Sequence, residues 1–104
     1  MANHRRHEVT AFIYDKRGRL LSMGKNSYVK THPMQAEHAS AVGRPLQVFM
    51  HAEIAAIIKC KDIDKAHSIE IFRFDAAGKP ANSKPCPICK RALSFTQIKK
   101  ISHT

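Results

Sequence analysis

His51-Ala52-Glu53 and, further along, Pro85-Cys86-Pro87-Ile88-Cys89 are the stretches on which the reading of this chain turns. An imidazole and two thiols at a Cys-x-x-Cys spacing are three good zinc ligands, and the carboxylate two residues after the histidine is a fourth group that need not bind the metal. Three protein ligands leave one coordination position open. That is the arrangement of a catalytic zinc, because the open position takes a water whose pKa falls to about 7.

Working outward, Ile54, Ile57 and Ile58 follow the histidine at i, i+3, i+4 spacing, which predicts a helix from His51 to about Lys61 with an apolar stripe facing a sheet. His51 and Glu53 stand at its start, where backbone N–H groups are free and negative charge is favoured. Residues two apart on a helix point about 200° away from one another, so one side chain is left for the metal and the other for the space beside it. Pro87 suits the first turn of a second helix running to about Thr96. Cys86 and Cys89 then lie one turn apart, with their thiols near a helix N-terminus that lowers thiol pKa. Cys60, nine residues along the first helix from His51, falls about 13 Å from the metal and reads as a small buried residue.

Strands flank these helices. Glu8 to Tyr14 is apolar on both parities, Val9-Ala11-Ile13 and Phe12-Tyr14, as expected of a strand covered on both faces. Asp15-Lys16-Arg17-Gly18 turns the chain into a second strand, Leu20 to Gly24, closing a hairpin. Ser68 to Asp75 is the third strand, expected to run parallel to a neighbour because a helix precedes it, and Ile98 to Ser102 is a short fourth. Asp75 to Lys84 reads as loop. Between Lys25 and Leu46 the pattern is weak, broken by Pro33, Gly43 and Pro45, with room for a short helix near Met34 to Val42. This long segment begins at Asn26 and ends beside His51, so it is read as a substrate lid. Tyr28 within it is placed either to stack on a base or to pack the loop onto the core.

The bounds set by composition agree. A chain of 104 residues, 43% hydrophobic and 25% charged, makes one globular domain over residues 1–104. No apolar run approaches the roughly 20 residues that span a bilayer, and the start of the chain, with Arg5 and Arg6, lacks the apolar stretch of a secretory signal. A cytoplasmic protein with no membrane partner is therefore expected. Three cysteines fit a metal in a reducing compartment better than a disulfide framework. The net charge of +10 calls for an anionic partner, a nucleotide phosphate or a nucleic acid backbone, or else describes a solvated surface.

His-x-Glu followed by Pro-Cys-x-x-Cys resembles the signature of the zinc-dependent cytidine and deoxycytidylate deaminase superfamily, and His51, Glu53, Cys86 and Cys89 match it position for position. Asn26-Ser27-Tyr28-Val29-Lys30-Thr31-His32-Pro33 and Asn82-Ser83-Lys84 extend the likeness toward the short deaminases often encoded by phages, from about Val9 to Ile101. The resemblance implies a three-layer α/β fold around a mixed, minimal four-stranded sheet, with both zinc-bearing helices on one face. It implies His51, Cys86 and Cys89 as ligands of one Zn2+ and Glu53 as the proton shuttle. Asn26 is implied as a contact to the substrate's sugar, with Tyr28, Ala52, Ser83 and Lys84 as further substrate contacts. The reaction implied is hydrolytic deamination at C4 of a cytosine nucleotide or nucleoside, foremost deoxycytidine monophosphate, whose phosphate Lys25, Lys30 or Lys84 would meet.

Where many relatives carry glutamate before the Pro-Cys pair, this chain has Lys84. Elements that follow the fourth strand in larger relatives are not found before Thr104, so a homo-oligomer that completes the pocket is expected. Three other readings stand beside this one: deamination of cytosine in single-stranded nucleic acid, a non-catalytic zinc-stabilised nucleic-acid-binding module, and thioredoxin-type redox chemistry, which gives His51 and Glu53 no role. A second metal at His32 and His38 is the remaining alternative for those histidines, against ordinary loop packing.

Overall fold

The computed structural model describes residues 7–104, so Arg5 and Arg6 lie outside it. Strand β1 (Glu8–Asp15) and strand β2 (Leu20–Lys25) form the expected antiparallel hairpin. The turn is built by Asp15, whose carboxylate accepts the backbone N–H of Arg17 and of Arg19, and by Gly18, whose φ of 81° suits a residue without a side chain. Helix α1 (Pro33–Ala41) interrupts the long segment that follows, and His32 caps it by accepting the Met34 N–H on Nδ1. Helix α2 (Ala52–Lys59), strand β3 (Ala66–Phe74), strand β4 (Pro80–Ala81), helix α3 (Pro87–Ser94) and strand β5 (Lys100–His103) complete the order.

The sheet is mixed. Its order is β2-β1-β3-β4, and β5 pairs with β3 as well. Since β1 occupies one side of β3, the two last strands share the other: β4 takes Arg73 and Phe74 antiparallel, and β5 takes Ser68 to Ile71 in parallel. The parallel neighbour expected for β3 is thus β5, reached through α3, while β1 separates β3 from β2. The four strands read from sequence are joined by a fifth, Pro80–Ala81, lying in what the sequence presents as loop. Two residues are too few to display a period of two.

One face of the sheet carries the core. Ala11, Ile13, Ile69 and Ile71 face Ile54 and Ala56 of α2, Ile88, Cys89, Ala92 and Leu93 of α3, and Ala39 of α1, all within one buried cluster. Helix α2 lies directly on β2: the Ser22 hydroxyl donates to the Ala56 carbonyl at 2.8 Å, and a β-carbon on Gly24 would run into the backbone of Ala52, Ala55 and Ala56. That contact sets the first turn of α2, and with it His51 and Glu53, over the end of β2. On the opposite face Phe12, Tyr14 and Phe72 pack ring against ring and are half-buried. All three helices feed the first core, so the third layer expected from the two-sided pattern of β1 is not contributed by the described residues. Among the described residues no helix is long and apolar enough to cross a membrane.

Candidate active site

His51 and Cys86 occupy equivalent places, each the N-cap of its helix in extended backbone, and neither side chain caps the helix it starts. Both turn toward each other instead. His51 Nδ1 lies 3.3 Å from Cys89 Sγ and 3.5 Å from Cys86 Sγ, and all three donor atoms fall within 4.8 Å of one another. A tetrahedral zinc, with Zn–N of about 2.05 Å and Zn–S of about 2.3 Å, sets nitrogen and sulfur about 3.5 Å apart and two sulfurs about 3.8 Å apart. The donor set therefore fits zinc in both chemistry and spacing. It is the one such group of metal-ligating side chains among the described residues, and Cys60, buried at the end of α2, is outside it. His32, as the α1 cap, and His38, against Arg91, are likewise outside it.

Over residues 1–104 the chain matches the family model described as the cytidine and deoxycytidylate deaminase zinc-binding region. The chain belongs to this deaminase family. Among solved structures it is similar to a glutamate-to-glutamine mutant of cytidine deaminase from Mycobacterium tuberculosis, at 19% identity and a TM-score of 0.53, covering 98% of this chain and 71% of that one. That likeness is one of fold. No curated protein matches the chain.

In this deaminase-family chain the electrostatics follow from who donates to whom. The hydrogen bond from Cys89, with a further one from His51, pulls the Cys86 thiol well below its ordinary value. Cys89 moves the other way, because it gives that hydrogen bond and is buried. His51 is raised, chiefly by its bond to Cys86. Glu53 is 6% exposed, and burial pushes its carboxyl above the ordinary range. A carboxyl raised in this way holds a proton more readily than an exposed one.

A cavity of about 420 Å³ opens on the site, within the size range of small-molecule pockets. His51, Ala52, Glu53 and Cys86 line it, and so do Asn26, Tyr28, Ser83 and Lys84. Cys89 sits behind them, fully buried. Lys25 and Lys30 are not among the lining residues, which leaves Lys84 as the lysine of the three that reaches the pocket. Two of the lining residues also serve the fold. The Asn26 amide accepts the Val9 N–H and donates to the His7 carbonyl, extending the β1 edge, and the buried Ser83 hydroxyl donates to the Ile71 carbonyl. The Tyr28 hydroxyl donates to the His7 carbonyl as well.

Sequence reasoning missed several participants. Gln35, fully buried on α1, accepts the His51 N–H at 3.1 Å and donates to the Gln47 carbonyl at 3.1 Å, so it ties the start of α2 to α1 and to the segment before it. Phe49 and Met50 line the cavity from the residues just before His51. Arg73 lines it from β3. Its one sequence signal is a positive charge on the strand parity that otherwise holds Ile69 and Ile71.

Proposed function

We propose that the chain hydrolytically deaminates a cytosine nucleotide or nucleoside, foremost deoxycytidine monophosphate to deoxyuridine monophosphate. The observation that carries this reading is Glu53: a buried carboxyl with a raised pKa, beside a His/Cys/Cys set spaced for zinc, in a cavity of nucleotide size. Zinc held by His51, Cys86 and Cys89 would supply Lewis acidity that brings the pKa of a water toward neutrality. Glu53 then takes one proton of that water as the water oxygen bonds to C4, and delivers it to the ring nitrogen next to C4. Glu53 passes the second proton of the same oxygen to the exocyclic amine, the C4–N bond breaks and ammonia leaves, so water and cytosine become uracil and ammonia. Asn26 and Tyr28 border the space for the sugar and base, with Phe49 and Met50 beside them.

The test is ammonia release by zinc-loaded protein from cytidine, deoxycytidine, their monophosphates and a cytosine-containing single strand, at low and high salt. Turnover of a mononucleotide or nucleoside with shallow salt dependence is expected. No ammonia from any of these compounds would overturn the reading. Deamination within a single strand is the second reading, favoured by the exposed rings of Tyr28 and Phe49 at the cavity together with the +10 charge. It requires activity confined to the strand and falling steeply with salt.

A further inference from the structure

The face of β3 that buries Ile69 and Ile71 carries Arg73 two residues on. Side chains alternate along a strand, so Arg73 points to the helix-covered side of the sheet, where the core gives way to the active-site cavity that it lines. A charge at such a position is costly unless something pairs with it. No carboxylate does so among the described residues, where the ion pairs are Arg19 with Asp15 and Arg91 with Glu37.

A ring nitrogen and a backbone carbonyl hold the guanidinium instead. Its Nε–H points to His7 Nδ1 and one Nη1–H to the Asn82 carbonyl, each at 3.4 Å. Both contacts are long, and they engage only part of a fork that has several N–H groups to offer. The side chain is oriented without being neutralised. Lys84 lines the same cavity, and Glu53 is the one carboxylate lining it. The pocket thus presents a planar, pre-aimed cation and a flexible one, arriving from β3 and from the loop before α3, while its acid belongs to α2. A guanidinium fork of this kind matches two oxygens of a phosphate, whereas a nucleoside alone offers it no anion.

We propose that Arg73 is the specificity-determining residue that receives a phosphate attached to the sugar of the substrate. The proposal rests on the deaminase reading above and names the substrate class of that same site. The phosphate has two sources, a free nucleotide and the backbone of a single strand.

The experiment compares zinc-loaded wild type, Arg73→Gln and Arg73→Lys on deoxycytidine, deoxycytidine monophosphate and a single-stranded oligonucleotide with one cytosine. The ratio of kcat/KM for phosphorylated substrate over nucleoside is expected to fall about 10- to 100-fold in Arg73→Gln, mainly through KM, and to recover in part in Arg73→Lys, which keeps the charge without the fork. A fall for the mononucleotide assigns a phosphomonoester, and a fall for the oligonucleotide alone assigns a backbone phosphodiester. Calorimetric binding of deoxycytidine monophosphate to Glu53→Gln protein, with and without Arg73→Gln, should weaken by the same factor. On wild type, inorganic phosphate should compete with the monophosphate and leave deoxycytidine binding unaffected, a readout that holds even where a variant fails to fold. An unchanged ratio, equal losses on nucleoside and nucleotide, or no competition by phosphate would overturn the proposal. Absence of ammonia from every compound refutes deamination instead, and the calorimetry still decides Arg73.

Discussion

The backbone N–H of His51 donates to the side-chain oxygen of Gln35 at 3.1 Å, across sixteen residues of sequence. Through it His51 is fastened to α1, since Gln35 is fully buried and also holds the Gln47 carbonyl. Outer-shell hydrogen bonds that orient a metal-ligating side chain are worth roughly 10- to 100-fold in metal affinity, and this bond would act on His51 through its backbone. Gln35→Leu should therefore weaken zinc binding by about that factor. Leaving the His51 N–H and the Gln47 carbonyl without partners should also cost about 1–3 kcal/mol each at most. Chelator competition and thermal melting measure the two effects; unaltered zinc affinity would show that His51 is placed by α2 alone.

Substitutions at Cys89 and at Glu53 should separate metal binding from chemistry. Cys89→Ser should lose zinc, because the cluster drops to one nitrogen, one thiolate and a weakly ligating hydroxyl. Glu53→Gln should retain the metal and the fold while kcat falls about 10²- to 10⁴-fold, since an amide cannot shuttle a proton. Metal analysis alongside ammonia release checks both, and full activity in Glu53→Gln would sink the proton-transfer role.

Gly24 is where α2 touches the sheet. A methyl group there meets the backbone of Ala52, Ala55 and Ala56, which has no rotamer to yield. Gly24→Ala should destabilise the protein by about 1–3 kcal/mol, the range for overpacking, and should displace the first turn of α2 with its zinc ligand. Chemical denaturation gives the first quantity and zinc affinity the second; a variant as stable as wild type would mean that helix and strand separate freely.

His38 gives the fold a pH dependence. It is buried where α1 meets α3, with Nδ1 2.6 Å from Arg91 Nη1, and Arg91 lies over the Phe95 ring. Burial, and then the Arg91 charge, hold its pKa below 6.5, with Glu37 pulling weakly the other way. As pH falls the unfolded chain takes up this proton before the folded one, so the stability present above about 6.5 is lost toward the folded pKa and then levels off. Melting temperature between pH 7.5 and 5, roughly the span of that titration, should drop more steeply in wild type than in His38→Gln, whose amide oxygen accepts from Arg91 without titrating. Superimposable profiles would exclude His38 as the group responsible.

The sequence by itself determined the His51, Glu53, Cys86 and Cys89 motif and the helices that carry it. Those features are local: Cys86 and Cys89 share one helical turn, His51 and Glu53 share another, and the Ile54, Ile57, Ile58 stripe announces the face on which α2 lies. The β1–β2 hairpin was equally legible, because Asp15 and Gly18 have conformational preferences of their own. Tertiary structure decided the rest. Gln35 reaches His51, Arg73 enters the pocket, and β4 joins β3 only once distant segments are brought together, and no local preference of Gln, Arg or a Pro-Ala pair encodes those meetings. The same holds for Asn26 and Ser83, polar residues whose types suit a substrate but whose amide and hydroxyl also satisfy the backbone of β1 and β3. A side chain's chemistry is fixed by its residue type, while the partner it spends that chemistry on is fixed by what the fold places within about 3 Å of it.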